Sequence, residues 1–229
     1  MSIVTDNPSK ICSLNLYSAN YQPLVDITWD KNRLIYSEKH GYSHITKIVE
    51  QSPHIGFEKF FLIDELMAED NYDWFFWSGS DTLITNLGIK LESFLDDDYH
   101  LIIAKDCGGI NADVFFLRNS EEGRRFVKLV VNNFEKYKDH RNSKGDKWYE
   151  QQVIIDHQEE FKGITKILPQ KAINAYNYPL YHRHSPETQR DVDGNWGQWE
   201  RGDFLLHIPG CSLEDRLRVF PEYLREVVE

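Results

Sequence analysis

An aromatic run, Trp74-Phe75-Phe76-Trp77, stops at Ser78-Gly79-Ser80 and is followed at once by a single carboxylate, Asp81. Buried strands of α/β proteins are near-continuous apolar runs, because both faces of their sheet are covered. Ligands bind beyond the carboxyl ends of such strands. Asp81 is therefore placed to touch a substrate or a metal ion; the plainer reading is a β-turn with a solvated aspartate after a core strand. A second strand end is of the same kind. Residues 11–17 alternate in strand fashion and run into Ser18-Ala19-Asn20, small polar residues against which a nucleotide base can lie.

The elements that must position these groups alternate between strand and helix. Residues 24–39 have helical spacing, with Gly41 as a C-cap glycine, and residues 42–45 suit a short second strand. Residues 56–69 form an amphipathic helix with Phe57, Phe60, Phe61, Ile63, Leu66 and Met67 inward and Glu58, Lys59, Asp64 and Glu65 outward. After the aromatic strand come a short helix or turn at 91–95 and the acidic run Asp96-Asp97-Asp98, read as a solvated loop, since free carboxylates repel one another. A strand at 99–104 leads through Asp106 to Gly108-Gly109, which permits a tight bend. Asn111-Ala112-Asp113 opens a strand at 114–117, and Ser120 caps a helix from 121 to about 138. A helix at 148–161 carries Glu150 and Gln151 on its first turn. Then follow a strand at 164–168, a long polar loop at 182–200 holding Trp196 and Trp199, a last strand at 203–208 and a closing helix at 213–228. This order predicts an α/β protein with a mostly parallel sheet.

The 229 residues suit a single domain, and 41% apolar with 14% aromatic content is enough for a full core. A net charge of -11 argues against a nucleic-acid partner, since no basic stripe is present to release counterions. Cys12, Cys107 and Cys211 are odd in number and widely spaced, which fits a reducing compartment better than a disulfide framework. With no apolar run long enough to span a bilayer and no signal-like start, the expectation is a soluble, cytoplasmic protein.

Six stretches, taken in order, resemble one family: Tyr36 to Tyr42, Asp73 to Asn86, Ile110 to Asn119, Glu150-Gln151, Leu168 to Asn177, and Gly202-Asp203-Phe204-Leu205-Leu206-His207-Ile208-Pro209-Gly210-Cys211. The chain resembles nucleotide-sugar glycosyltransferases of the GT-A fold, with a Rossmann-like sheet flanked by helices. Within them it is similar to the galactosyl/xylosyltransferase family that includes fungal mannan α-1,2-galactosyltransferases and plant xyloglucan xylosyltransferases. The resemblance implies transfer of a sugar from a UDP- or GDP-linked donor to a glycan hydroxyl, with configuration retained and a divalent metal, Mn²⁺ or Mg²⁺, assisting. The D-x-D motif of the family falls on Gly79-Ser80-Asp81: the second carboxylate is present as Asp81 and the first is glycine. The family's late metal-binding histidine falls on His207.

The resemblance also implies roles for Asn111, Asp113, Glu150 and Gln151, and the other residues are candidates from their own types and positions. Ser18, Ser80, Asp81, Asp106, Asn111 and Gly210 face the donor, Asn111 either bonding the sugar or fixing its own loop. Asp113 replaces a glycine and either reaches into the site or faces solvent. Glu150 and Gln151 support the anomeric carbon; if transfer inverts, Glu150 or Asp113 is the base. Tyr181, His182, Trp196 and Trp199 offer an aromatic platform for an acceptor sugar, or the two tryptophans anchor the long loop. Lys171 or Arg183 assists the diphosphate. Two alternatives stay open because of Gly79: a transferase that needs no metal, and a non-catalytic nucleotide-sugar or glycan binder.

Overall fold

The computed structural model describes residues 10–50, 52, 54–141, 149–180 and 189–229. The aromatic run is strand β3 (Trp74–Ser78), and it lies inside a six-stranded sheet of order β2-β1-β3-β6-β5-β7. The other strands of the sheet are β1 (Ile11–Ser18), β2 (Ser43–Val49), β5 (Leu101–Asp106), β6 (Gly109–Arg118) and β7 (Thr165–Leu168). The pairs β2–β1, β1–β3 and β5–β7 are parallel, whereas β6 runs against both β3 and β5. The sheet is thus mainly parallel, with β6 reversed by the hairpin at Cys107-Gly108, where Gly109 takes φ 114.

Successive side chains of a strand point to opposite faces. Phe75 and Trp77 enter one core, with Phe57, Phe60 and Met67 of α3 (Ile55–Glu69), Phe126 and Val130 of α4 (Glu121–Asn132), and Val153 of α6 (Tyr149–Asp156). Trp74 and Phe76 enter another, with Tyr36, Phe116, Ile173 and Phe204. No helix of the described residues is long and apolar enough to cross a membrane.

Three departures from the sequence expectation bear on the site. The helix expected at 24–39 is split into α1 (Gln22–Thr28) and α2 (Leu34–His40) by a π-turn over Trp29–Arg33. That wide turn pushes two polar side chains inward. Asn32 bonds both the N–H and the C=O of Ile84 at 2.8 Å each, and Arg33 donates to the Ser78 carbonyl and hydroxyl. Thr28 Oγ1 adds a bond to the Ser80 carbonyl at 2.8 Å. The turn that carries Asp81 is therefore fixed from behind. The second departure is Lys59, which is 2% exposed and not on the outer face.

The third is a small second sheet, β4-β9-β8, formed by Thr82–Ile84, Leu205–His207 and Ala175–Tyr176. In it Thr82 sits opposite His207 and Tyr176 beside it. Helix α8 (Leu213–Tyr223) follows, with the Ser212 side chain accepting from Asp215 N. Asn32→Ala would strand two buried backbone groups of Ile84, each costing about 1–3 kcal/mol when unsatisfied. It should lower the urea midpoint with an unchanged m-value; a midpoint equal to that of the wild type would refute this role for the π-turn.

Candidate active site

Asp81, Asp113 and His207 each offer a ligand atom, and those atoms lie within 4.8 Å of one another. Each comes from a different element. Asp81 follows β3, with its carbonyl accepting from Ile208 N at 3.0 Å, so the second sheet sets it beside His207. Asp113 comes from β6 at a register shift: Ile103 pairs Phe115, but Ala104 pairs Asn111. The residues between them leave β5 while β6 stays on β3, where Gly79 N donates to Asp113 O at 2.9 Å. Bulges of this kind re-aim side chains.

The displaced backbone is not left unsatisfied. Ala112 N donates to Gln151 Oε1 at 3.0 Å, and Ala112 O accepts from Lys59 Nζ at 2.6 Å. Lys59 also pairs with Glu150 Oε1 at 2.9 Å and lies over the Trp77 ring. Gly56 lets the Glu150 carboxylate approach α3 where a Cβ would overlap it. Glu150 and Gln151 thus hold the segment that delivers Asp113.

His207 is 1% exposed. Its Nδ1 lies 2.7 Å from Asn174 Oδ1, an acceptor, which calls for hydrogen on Nδ1. Its Nε2 faces the carboxylates, 3.0 Å from Asp113 Oδ2 and 3.6 Å from Asp81 Oδ1, yet makes no aligned hydrogen bond to either. Burial works to lower the pKa of this ring, but the charges of Asp81 and Asp113 outweigh it and push it up to about 9. Burial likewise works to raise the Asp81 carboxyl, and Arg216 and His207 hold it well below the usual carboxylate range. Arg216, on the first turn of α8, donates to Asp81 Oδ2 and, through Nε, to Ile208 O. The cluster therefore requires positive charge: a proton on Nε2, the guanidinium, or a cation. Two carboxylates and a buried imidazole nitrogen that makes no aligned hydrogen bond form a donor set that fits Mn²⁺ or Mg²⁺.

A cleft of about 450 Å³ opens beside the cluster at the carboxyl ends of β1 and β3. Ser18, Ser80, Asp81, Asp113 and Glu150 all line it, as do Asn20, Tyr21 and Arg216. Asp106 and Asn111 are buried and do not line it; they bond one another and the Tyr176 hydroxyl, and Asn111 Oδ1 also accepts from Asp113 N, fixing its own loop. Gly210 takes φ 67 in the turn after β9. Trp199 is tied down by a bond to Thr85 Oγ1 at 2.9 Å and by the Tyr223 ring, whereas Trp196 is 39% exposed with Arg190 over it. Lys171 pairs with Glu200 and Asp203. Tyr181, His182 and Arg183 lie outside the described residues.

Sequence reasoning passed over Lys59, Arg216 and Asn174. Lys59 lies between Phe57 and Phe60, and Arg216 sits within the apolar spacing Leu213, Leu217 and Phe220. A cation embedded in an apolar stripe was the available signal. Asn174 lies in the family-like stretch Leu168 to Asn177, but its contact with His207 is made only in three dimensions.

This arrangement of sheet and strand-end cluster defines a class, the GT-A glycosyltransferase fold. The structure is similar to that of a glycosyltransferase involved in glycosylation of the major capsid of PBCV-1, at a TM-score of 0.67, 15% identity, and coverage of 92% of this chain and 99% of that one. It is also similar to the galactosyltransferase LgtC in complex with donor and acceptor sugar analogs, at a TM-score of 0.55, 14% identity, and coverage of 95% and 96%. At the level of family, the chain belongs to the galactosyl transferase GMA12/MNN10 family, which residues 9–99 and 95–218 match. It is 25% identical over 225 residues to an alpha-1,2-galactosyltransferase of Schizosaccharomyces pombe, covering 80% of this chain and 55% of that protein. It is 20% identical over 218 residues to a probable alpha-1,6-mannosyltransferase, MNN10, of Saccharomyces cerevisiae, covering 80% and 54%. The chain spans about half the length of these curated relatives.

A group whose folded pKa is raised contributes stability that is complete below its unfolded pKa, about 6.5 for histidine. That contribution is lost as pH rises through the folded value, about 9 for His207. In EDTA, the melting temperature of the wild type should fall more steeply between pH 6.5 and 10 than that of His207→Gln. Parallel profiles would contradict a shared proton in the cluster.

Proposed function

We propose that the chain is a glycosyltransferase that moves a hexose or pentose from a nucleoside-diphosphate sugar, UDP- or GDP-linked, to a hydroxyl of a glycan acceptor. The observation that carries this reading is the cluster of buried His207, whose Nε2 makes no aligned hydrogen bond, with Asp81 and Asp113, the two carboxylates lining the cleft. The reading is supported by the family, by relatives described as galactosyl- and mannosyltransferases, and by the fold.

Asp81 and His207 hold a divalent cation, Mn²⁺ being favoured by the imidazole nitrogen. Bound there, the cation neutralises charge that develops on the departing diphosphate. Ser18 and Asn20, at the end of β1, receive the nucleoside, and Ser80 lies between it and the cluster. Arg216 lines the same cleft, so its guanidinium is available to phosphate oxygens when Asp81 turns to the cation. Asp106 and Asn111 hold the loop under the donor sugar. Glu150 faces the cleft as one half of a buried ion pair with Lys59. A carboxylate so paired supports positive charge at the anomeric carbon better than it abstracts a proton, which accords with retention. Gln151 is a positioning residue acting through Ala112. Trp196, 39% exposed, contributes an acceptor platform, to which Tyr181 and His182 are assigned from their residue types alone, and Trp199, bonded to Thr85 Oγ1, anchors the stretch that carries Trp196.

Calorimetry with nucleoside diphosphates and their sugars, with Mn²⁺ and with EDTA, tests the reading. Micromolar binding that requires Mn²⁺ is expected. Asp81→Ala and His207→Ala should each weaken it by more than the roughly 100-fold that loss of an outer-shell partner costs. Donor binding unaffected by EDTA would favour Arg216 as the sole cation at the site and a transferase without metal. Absence of binding to every nucleotide would refute the transferase reading.

A further inference from the structure

Gly79 and Asp113 face one another across the end of the β3–β6 ladder. A Cβ built on Gly79 would lie 2.6 Å from Asp113 Oδ2 and 2.7 Å from both Cγ and Oδ1. The carboxylate of Asp113 therefore fills the volume that any side chain at position 79 would enter. The backbone keeps the two positions in register through Gly79 N and Asp113 O, and the bulge clamped by Lys59 and Gln151 fixes the direction from which Asp113 arrives.

We propose that positions 79 and 113 are alternative anchors for one carboxylate, and that in this chain Asp113 supplies from β6 the acidic ligand that the turn after β3 lacks at Gly79. The inference rests on the metal site of the preceding section and assigns it a third protein ligand. Three observations support the exchange. The carboxylate lies where a side chain from Gly79 would begin, so either position delivers charge to the same place. His207 Nε2 is 3.0 Å from Asp113 Oδ2 and 3.6 Å from Asp81 Oδ1, which puts Asp113 at least as close to the ligand nitrogen as Asp81. Both carboxylates and a cleft wall meet at this point, since Gly79, Asp81 and Asp113 line the same opening. The glycine at 79 is then required by crowding: with Asp113 present, two carboxylates would compete for one volume and repel one another. The two departures from the sequence pattern, a glycine at 79 and an aspartate at 113, become one change seen twice.

A double-mutant cycle read by Mn²⁺ binding, by titration of the free-ion EPR signal, tests this without reference to turnover. Asp113→Gly and Gly79→Asp should each weaken Mn²⁺ at least 10-fold, the first by removing the ligand and the second by crowding it. The combination Gly79→Asp with Asp113→Gly should return the Kd to within about 3-fold of wild type. The combination Gly79→Ala with Asp113→Gly relieves the crowding but carries no charge, and it should stay as weak as Asp113→Gly. Melting temperatures in EDTA confirm that each variant is folded. Full Mn²⁺ affinity in Asp113→Gly, or a charged combination no tighter than the uncharged one, would overturn the exchange and leave the Asp81–His207 site standing. Wild-type protein that takes up no Mn²⁺ would overturn both.

Discussion

Two carboxylates and an imidazole, brought from three elements that are distant in sequence, share a space within 4.8 Å. Like charges held that closely destabilise the fold unless a cation lies among them. Arg216 on one side and the Nε2 proton of His207 on the other meet that need within the protein itself. Either can yield to a divalent ion. The donor set is compatible with a divalent ion, and the electrostatic cost of holding the carboxylates together is offset by Arg216 and His207.

Much of the surrounding architecture follows from holding these groups still. The π-turn at Trp29–Arg33 forgoes regular helical bonding and uses Asn32 and Arg33 to secure the backbone before and after Asp81. The bulge in β6 gives up pairing with β5, and the orphaned groups of Ala112 are taken by Lys59 and Gln151. Asn174 orients His207 from behind. Irregularities cluster around the candidate site, as expected when strain and unpaired backbone persist only with compensating contacts.

The main strands and helices were legible because their apolar spacing is a local signal. The aromatic strand, the 56–69 helix and the Gly41 cap stand close to where spacing puts them. Asp81 was legible for the same reason: it is the first carboxylate past a buried strand. His207 became legible only through resemblance to a family. What escaped was non-local. Pairing of Thr82 with His207 joins residues 125 positions apart in short strands that carry no pattern of their own. Lys59 was placed on the outer face of its helix because the partner that buries it, Glu150, is 91 positions away. The facing of Asp113 toward Gly79 depends on a bulge, and a bulge has no periodicity.

The central claim, that this cluster is a metal site of a nucleotide-sugar enzyme, is tested most directly by crystals grown with Mn²⁺ and a nucleoside diphosphate, with diffraction recorded across the manganese edge. The account predicts one anomalous peak within about 2.3 Å of His207 Nε2 and of oxygens from Asp81 and Asp113, with phosphate oxygens completing its shell. A peak elsewhere, or a bound nucleotide with Arg216 still on Asp81 and no manganese in the cluster, would contradict it.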